Sequence, residues 1–374
     1  MARRLPAAFP RKLTAMFFLA LLLFSHLPAS CKDFQQALPG YKFSFPADHR
    51  SHEDYKTEWW YYTGHLHTTD KRNFGYELTF FRTGRDTENV AKPSPWKLEN
   101  IYLAHFAVSD ENNKKFHFYE KLNRQSLNVA GARDDIYYVS NEGWIAEEID
   151  GKMYLKADTP ELSIHLLLES DKPPVVHGKD GVSQKADCKG CASHYYSMTR
   201  LKTEGLLFEG KKPVAVTGET WMDHEFGSNQ LTSKQVGWDW YSLQLDNNME
   251  IMLYVMRKSD GTYDSNSSGT IVYADGHSEH ITLSDYSIKS SKTWTSPLTK
   301  GVYPMQWHVT IPKIKADLSI NPSFPSQELV TTRSTGVTYW EGSSSVAGSV
   351  GGKKVSGDSY VEMTGYAEHF KKNI

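Results

Sequence analysis

From Tyr41 onward the chain is built of short runs in which apolar and polar side chains alternate, and a period of two commits such runs to β-strands. Residues 74–82, 101–108, 162–168, 241–245 and 250–257 are examples, rich in β-branched and aromatic residues. Between the runs stand Glu142-Gly143, Asp150-Gly151, Asp180-Gly181, Asp260-Gly261 and Asp275-Gly276, pairs that suit hairpin turns needing positive φ. The pattern predicts an all-β chain of antiparallel sheets. The best helix candidate, residues 95–100, is short, so helical content should be low.

The strands fall into two series with the same opening and closing pieces. Trp59-Trp60-Tyr61-Tyr62-Thr63-Gly64 opens one and Trp238-Asp239-Trp240-Tyr241-Ser242 the other. Each is followed by an acid-led strand ending in arginine, Glu77 to Arg82 and Glu250 to Arg257, and each closes on Val214-Ala-Val-Thr-Gly218 or Val361-Glu-Met-Thr-Gly365. A duplicated unit explains this order, with chance likeness among aromatic strands as the alternative. Two domains follow, 41–225 and 236–370, joined by a polar loop with Gly227, Ser228 and Asn229. Closing each into a barrel would hide its sheet edges, and a space between two barrels would hold a larger ligand than either interior.

With 42 basic and 44 acidic residues and no basic stripe, the chain is not expected to bind nucleic acid. Its start differs from the rest: Arg3, Arg4, Arg11 and Lys12 precede an apolar run and then Leu27-Pro28-Ala29-Ser30-Cys31. Residues 1–31 read as a secretory signal, with an uncleaved anchor as the alternative. Cys31 stands where a lipoprotein would be acylated; lipidation there and simple cleavage nearby remain open, and no other membrane attachment is expected. Cys188-Lys-Gly-Cys191 reads, in an exported chain, as a local disulfide or inert thiols ahead of metal or redox work.

Serine-hydrolase, zincin, phosphate-loop and dinucleotide signatures are missing, so no cofactor is expected. What remains is Trp221-Met222-Asp223-His224-Glu225-Phe226. On a strand, Trp221, Asp223 and Glu225 face one way and Met222, His224 and Phe226 the other. If the acid face borders a dry aromatic space, desolvation raises a carboxyl pKa and leaves a proton for donation. In the structural alternative, the two acids pair with Arg200, Arg257 or backbone amides. No metal is expected, because adjacent strand residues cannot all face one ion. Trp59-Trp60, Tyr195-Tyr196 and Tyr339-Trp340 are aromatic pairs in which one member faces the core and one faces away. The residues expected against a ligand are Trp59, Trp60, Tyr76, Glu77, His105, Tyr196, Trp221, Trp238, Asp239, Trp240, Tyr339 and Trp340.

Trp59-Trp60-Tyr61-Tyr62-Thr63-Gly64, residues 75–82, Tyr195-Tyr196-Ser197-Met198-Thr199-Arg200, residues 221–228, Gly237-Trp238-Asp239-Trp240 and Tyr339-Trp340-Glu341-Gly342 together resemble the AttH and carotenoid 1,2-hydratase (hydroxyneurosporene synthase) family. The resemblance covers roughly residues 41–366 and implies two tandem lipocalin-like barrels and a secreted or periplasmic location. For the hydratase branch it places acid chemistry on His224 with Asp223 beside it, and Tyr254 is the nearest tyrosine candidate. Glu225-Phe226 depart from that branch, so the chain looks more like the AttH-type subgroup. The first expectation is a binder of an apolar lipid, isoprenoid or polyene molecule, working with a membrane transport system. The second is a hydratase or hydrolase using Asp223, His224, Glu225 or Tyr254, and the third a structural envelope protein.

Overall fold

In the computed structural model, described for residues 34–85, 98–125, 129–229 and 231–369, two large antiparallel sheets and three short 3-10 turns account for the regular structure. No α-helix occurs among the described residues. The leader, Cys31 and residues 95–97 of the 95–100 helix candidate lie outside them; residues 98–99 have no regular structure and Asn100 opens a strand, so the described half of the candidate is not helical.

Each sheet begins in the same way. Thr57–Thr68 pairs on one side with its hairpin neighbour Asn73–Gly84 and on the other with Lys212–Gly227, the last strand of its sheet. Gln235–Leu245 likewise pairs with Glu250–Lys258 and with Lys353–Thr364, the last strand of the second sheet. Joining first strand to last curls an antiparallel sheet around its own inner face. The echoed motifs therefore fall on the opening, second and closing strands of both halves, but the closing echo differs in register. Residues 216–218 lie opposite 66–68 at the far end of the opening strand, whereas residues 361–363 lie opposite 239–241 near its start.

Full ladder closure, expected from the sequence, is not what seals the rims. In the first sheet the outermost strands, Lys115–Arg124 and Ala130–Ala132, end the ladder without pairing to each other. Amide side chains replace the missing ladder: Asn123 Nδ2 donates to Asn141 Oδ1 at 2.8 Å, and Asn141 Nδ2 to the Tyr102 carbonyl at 3.2 Å. The two sheets are thus curled into barrel or half-barrel shapes.

Because side chains alternate across a strand, each barrel has a filled interior and an aromatic outer face. Trp60, Tyr62, Tyr76 and Met222 fill the first barrel, and Tyr241, Trp307, Trp340 and Val361 the second. The intervening positions, Tyr61, Tyr195 and Trp221 from one half and Trp240, Tyr254 and Tyr360 from the other, form a third core between the sheets. To one side of it the fully buried Glu250 receives Arg200 at 2.6 Å and Lys172 at 2.7 Å, which ties the halves together.

Candidate functional site

The third core is hollow. A cavity of about 300 Å³ lies between the outer faces, bordered by Trp59, Tyr61, Phe81, Tyr195, Trp238 and Trp240. Strand register brings the acids to it: Tyr61 lies opposite Asp223 and Trp59 opposite Glu225 on one side, Ser197 and Tyr195 opposite the same two on the other. Asp223 and Glu225, two residues apart, therefore both point outward among aromatic rings, while Met222 and His224 point into the barrel.

Asp223 is 4% exposed. Trp221 Nε1 donates to its Oδ1 at 2.6 Å, Tyr195 donates its hydroxyl to Oδ2 at 2.7 Å, and Ser197 also donates to Oδ1. Burial outweighs these donors, and with the charge of Glu225 nearby the carboxyl is pushed up to about 7. Near neutrality Asp223 thus exists in both protonation forms, as a proton donor requires.

Glu225 is paired with Lys185 Nζ at 3.0 Å. Burial is the largest influence on that ammonium and opposes it, but Glu225, Tyr254 and Asp223 together outweigh it and the Lys185 pKa is raised, so the charge is kept. From the second sheet Glu362 faces the same cavity, accepting Trp238 Nε1 at 3.2 Å. Burial, with Asp223, Glu225 and Asp239 adding repulsion, pushes Glu362 up to about 7.

Two more buried acids, Glu77 and Glu341, interact with Glu362 through their charges. Glu341 accepts the Tyr61 hydroxyl at 2.6 Å, and Oε2 of each has no hydrogen-bond partner. Burial pushes Glu77 up to about 8. Between its ordinary 4.5 and about 8 the folded state then holds a proton that the unfolded chain releases, so stability falls as pH rises through that window. Urea titrations should show this decline in the wild type and a shallower one in Glu77→Gln. Parallel pH profiles would mean that Glu77 is not a neutral buried acid.

Of the residues expected at a ligand, Trp59, His105, Trp238, Trp240 and Tyr339 do border the cavity, together with Asp223, Glu225 and Tyr254. His105 bonds Tyr339 at 2.7 Å and Ser334 at 2.8 Å, and burial lowers its pKa to about 3, which keeps the ring neutral. The other expected residues take different places. Trp60, Tyr76 and Tyr196 face the first barrel's interior, and Trp340 lies in the second, its ring folded over Gly342 where a Cβ would meet it at 1.9 Å. Trp221 stands behind the wall as a donor to Asp223, and Glu77 is buried away from the lining. Asp239 is held by Arg257 and Tyr366, each at 3.0 Å.

The catalytic candidates also divide. The Tyr254 hydroxyl is engaged by Ser268 at 3.0 Å and Ser183 at 3.1 Å, so this residue offers the cavity its ring face. His224 stacks on Trp60 inside the first barrel, with Nε2 2.9 Å from Glu58 and Nδ1 3.0 Å from the Tyr196 hydroxyl. Arg200 and Arg257 do not partner the cavity acids, since Arg200 is bound to Glu219 and Glu250 and Arg257 to Asp239. Cys188 and Cys191 form a disulfide.

By composition His52, Glu58 and His224 could hold a metal ion. Their atoms are already spent on one another: Glu58 Oε1 meets both rings, at 3.0 and 2.9 Å, and Oε2 meets Arg82 Nε at 3.1 Å. A cation would have to part Glu58 Oε1 from both rings, beside a buried guanidinium that already pairs with the same carboxylate, so the set fits a hydrogen-bonded network better than a metal centre.

Lys185 and Glu362 were not among the expected ligand contacts, and Tyr61 and Tyr195 stood only as members of adjacent aromatic pairs. The signals were present: Glu362 is the acid in the second Val-x-Met-Thr-Gly echo, and Lys185 stands just before the cysteine pair.

A tandem lipocalin-like β-barrel protein, with an aromatic and acidic cavity between its barrels, is the class that this fold and site define. The chain belongs to the AttH-like family, whose profile matches residues 36–366. Among solved structures it is similar to a protein of Nitrosomonas europaea described as an AttH, at 30% identity and a TM-score of 0.80, covering 89% of this chain and 99% of that one. It is also similar to kievitone hydratase from Nectria haematococca, at 16% identity and a TM-score of 0.67, covering 90% of this chain and 97% of that one. CghA, solved with Sch210972, shares the fold at 12% identity and a TM-score of 0.51, covering 89% of this chain and 96% of that one. No curated protein matches in sequence.

Proposed function

We propose that the protein holds one apolar molecule in the cavity between its barrels and adds water across a carbon–carbon double bond of that molecule by acid–base chemistry. The observation that carries this reading is Asp223, a buried carboxyl fixed by three donors on an aromatic wall and poised near neutrality. Protonated Asp223 gives its proton to one alkene carbon. The π-pair forms that C–H bond, and the neighbouring carbon becomes cationic among indole and phenol faces that favour positive charge. Water then bonds to the cationic carbon and passes its proton to the carboxylate of Glu225 or Glu362. The shared fold with a hydratase supports this class of reaction.

The test is incubation of the purified protein with terpenoid and prenylated aromatic alkenes in ¹⁸O-labelled water. A product carrying one labelled oxygen supports the proposal. If none forms while native mass spectrometry still finds a bound apolar molecule, a carrier is the better reading, which the mostly apolar surface of the cavity wall favours. The proposed setting in either case is the exported compartment, with Cys31 as a lipid anchor and a membrane transport system receiving the bound molecule. The intact mass of the mature chain tests the anchor directly.

A further inference from the structure

Lys185 is more than the counter-ion of Glu225. Its side chain is 8% exposed and borders the cavity, and among the described residues Glu225 is the one acid within ion-pair reach. That contact, at 3.0 Å, engages one of the ammonium's donors at most. An ammonium carries three donors, and leaving the others unmade in a buried place is costly. The groups flanking it are ring faces, with Nζ 4.4 Å from the Tyr254 centroid and 5.0 Å from the Tyr195 centroid. These favour the charge but supply no oxygen.

The main chain at Lys185 is fixed on both sides. Its amide donates to the Cys191 carbonyl at 2.9 Å, its carbonyl accepts Gln235 Nε2 at 2.7 Å, and the Cys188–Cys191 disulfide closes this loop. A charged group with unused donors is thus held in place at an apolar cavity before any ligand arrives, which is how binding sites reduce the ordering cost of recognition.

We propose that Lys185 anchors the ligand by an acceptor oxygen (a carbonyl, phenolate or carboxylate), so that the cavity selects apolar ring molecules bearing such an oxygen over plain hydrocarbons. This rests on the cavity used for the proposed function but not on its reaction.

Two fluorescent probes with the same ring body separate the cases: anilinonaphthalene sulfonate, which carries anionic oxygens, and the uncharged N-phenylnaphthylamine. Measured at about pH 6, where Asp223 and Glu362 with pKa values of about 7 are mostly neutral, the wild type should bind the sulfonate more tightly. Lys185→Met should weaken the sulfonate by about tenfold or more while keeping the uncharged probe. Lys185→Arg should retain the preference. An unchanged ratio of affinities in Lys185→Met, a wild type that prefers the uncharged probe, or a wild type that binds neither overturns the anchor. If the Met variant loses both probes, the Arg variant decides: a kept preference supports the anchor, and a lost one with the uncharged probe still bound overturns it. Lack of turnover with the sulfonate preference intact would remove the proposed reaction and leave the anchor standing.

Discussion

Asp223→Asn is expected to cut turnover about 10²- to 10⁴-fold while ligand affinity changes by less than about threefold. The amide keeps the shape of the carboxyl and an oxygen to accept from Trp221 Nε1 and Ser197, so the wall should stand. It has no proton of suitable acidity to give to carbon. The loss should therefore fall on kcat and leave KM nearly unmoved, which separates a proton donor from a group that shapes the cavity. In the wild type, turnover should decline above about pH 7 as Asp223 ionises. Turnover that survives in Asp223→Asn would move the donor to Glu362, the other cavity acid pushed up to about 7.

Glu58→Gln should cost about 3–5 kcal/mol of stability, the usual result of breaking a buried charge network by removing one partner. Glu58 is 0% exposed and receives His224, His52, Ser51 and Arg82, and Arg82 is itself 1% exposed. Burial works against the carboxylate, yet the bonds from His224 and His52 and the charge of Arg82 hold its pKa well below the ordinary range. An acid lowered in this way contributes stability above its unfolded pKa and loses it as pH falls through the folded one. The wild type should therefore lose its advantage over the variant in acid, while at neutral pH the difference should be large in urea. A neutral-pH difference under about 1 kcal/mol would show that the network is not what holds the Thr57 end of the first barrel.

The strand pattern was legible because alternation is a local property that tertiary packing preserved. The outward face shared by Trp221, Asp223 and Glu225 could be read for the same reason. Which face borders the ligand could not, because that depends on where the hollow lies. Trp60, Tyr196 and Trp340 suit a ligand inside a barrel, but the interiors are packed, so Trp59, Tyr61, Tyr195 and Tyr339 border the cavity instead. An aromatic pair shows that its members face opposite ways and not which one meets the guest. Glu362 reaches the site through the register that sets it opposite Trp240, and Lys185 through a loop closed by a disulfide. Both are long-range facts. Tyr254 lies in the site, but the four oxygens around its hydroxyl come from segments that its own strand does not specify.

The measurement that bears most directly on the central claim is native mass spectrometry of the protein purified from its own host, beside a Leu103→Trp variant that places an indole into the cavity. The account predicts one apolar molecule per wild-type chain and none on the folded variant. Equal occupancy of both proteins would place the guest elsewhere, and contradict a function seated between the barrels.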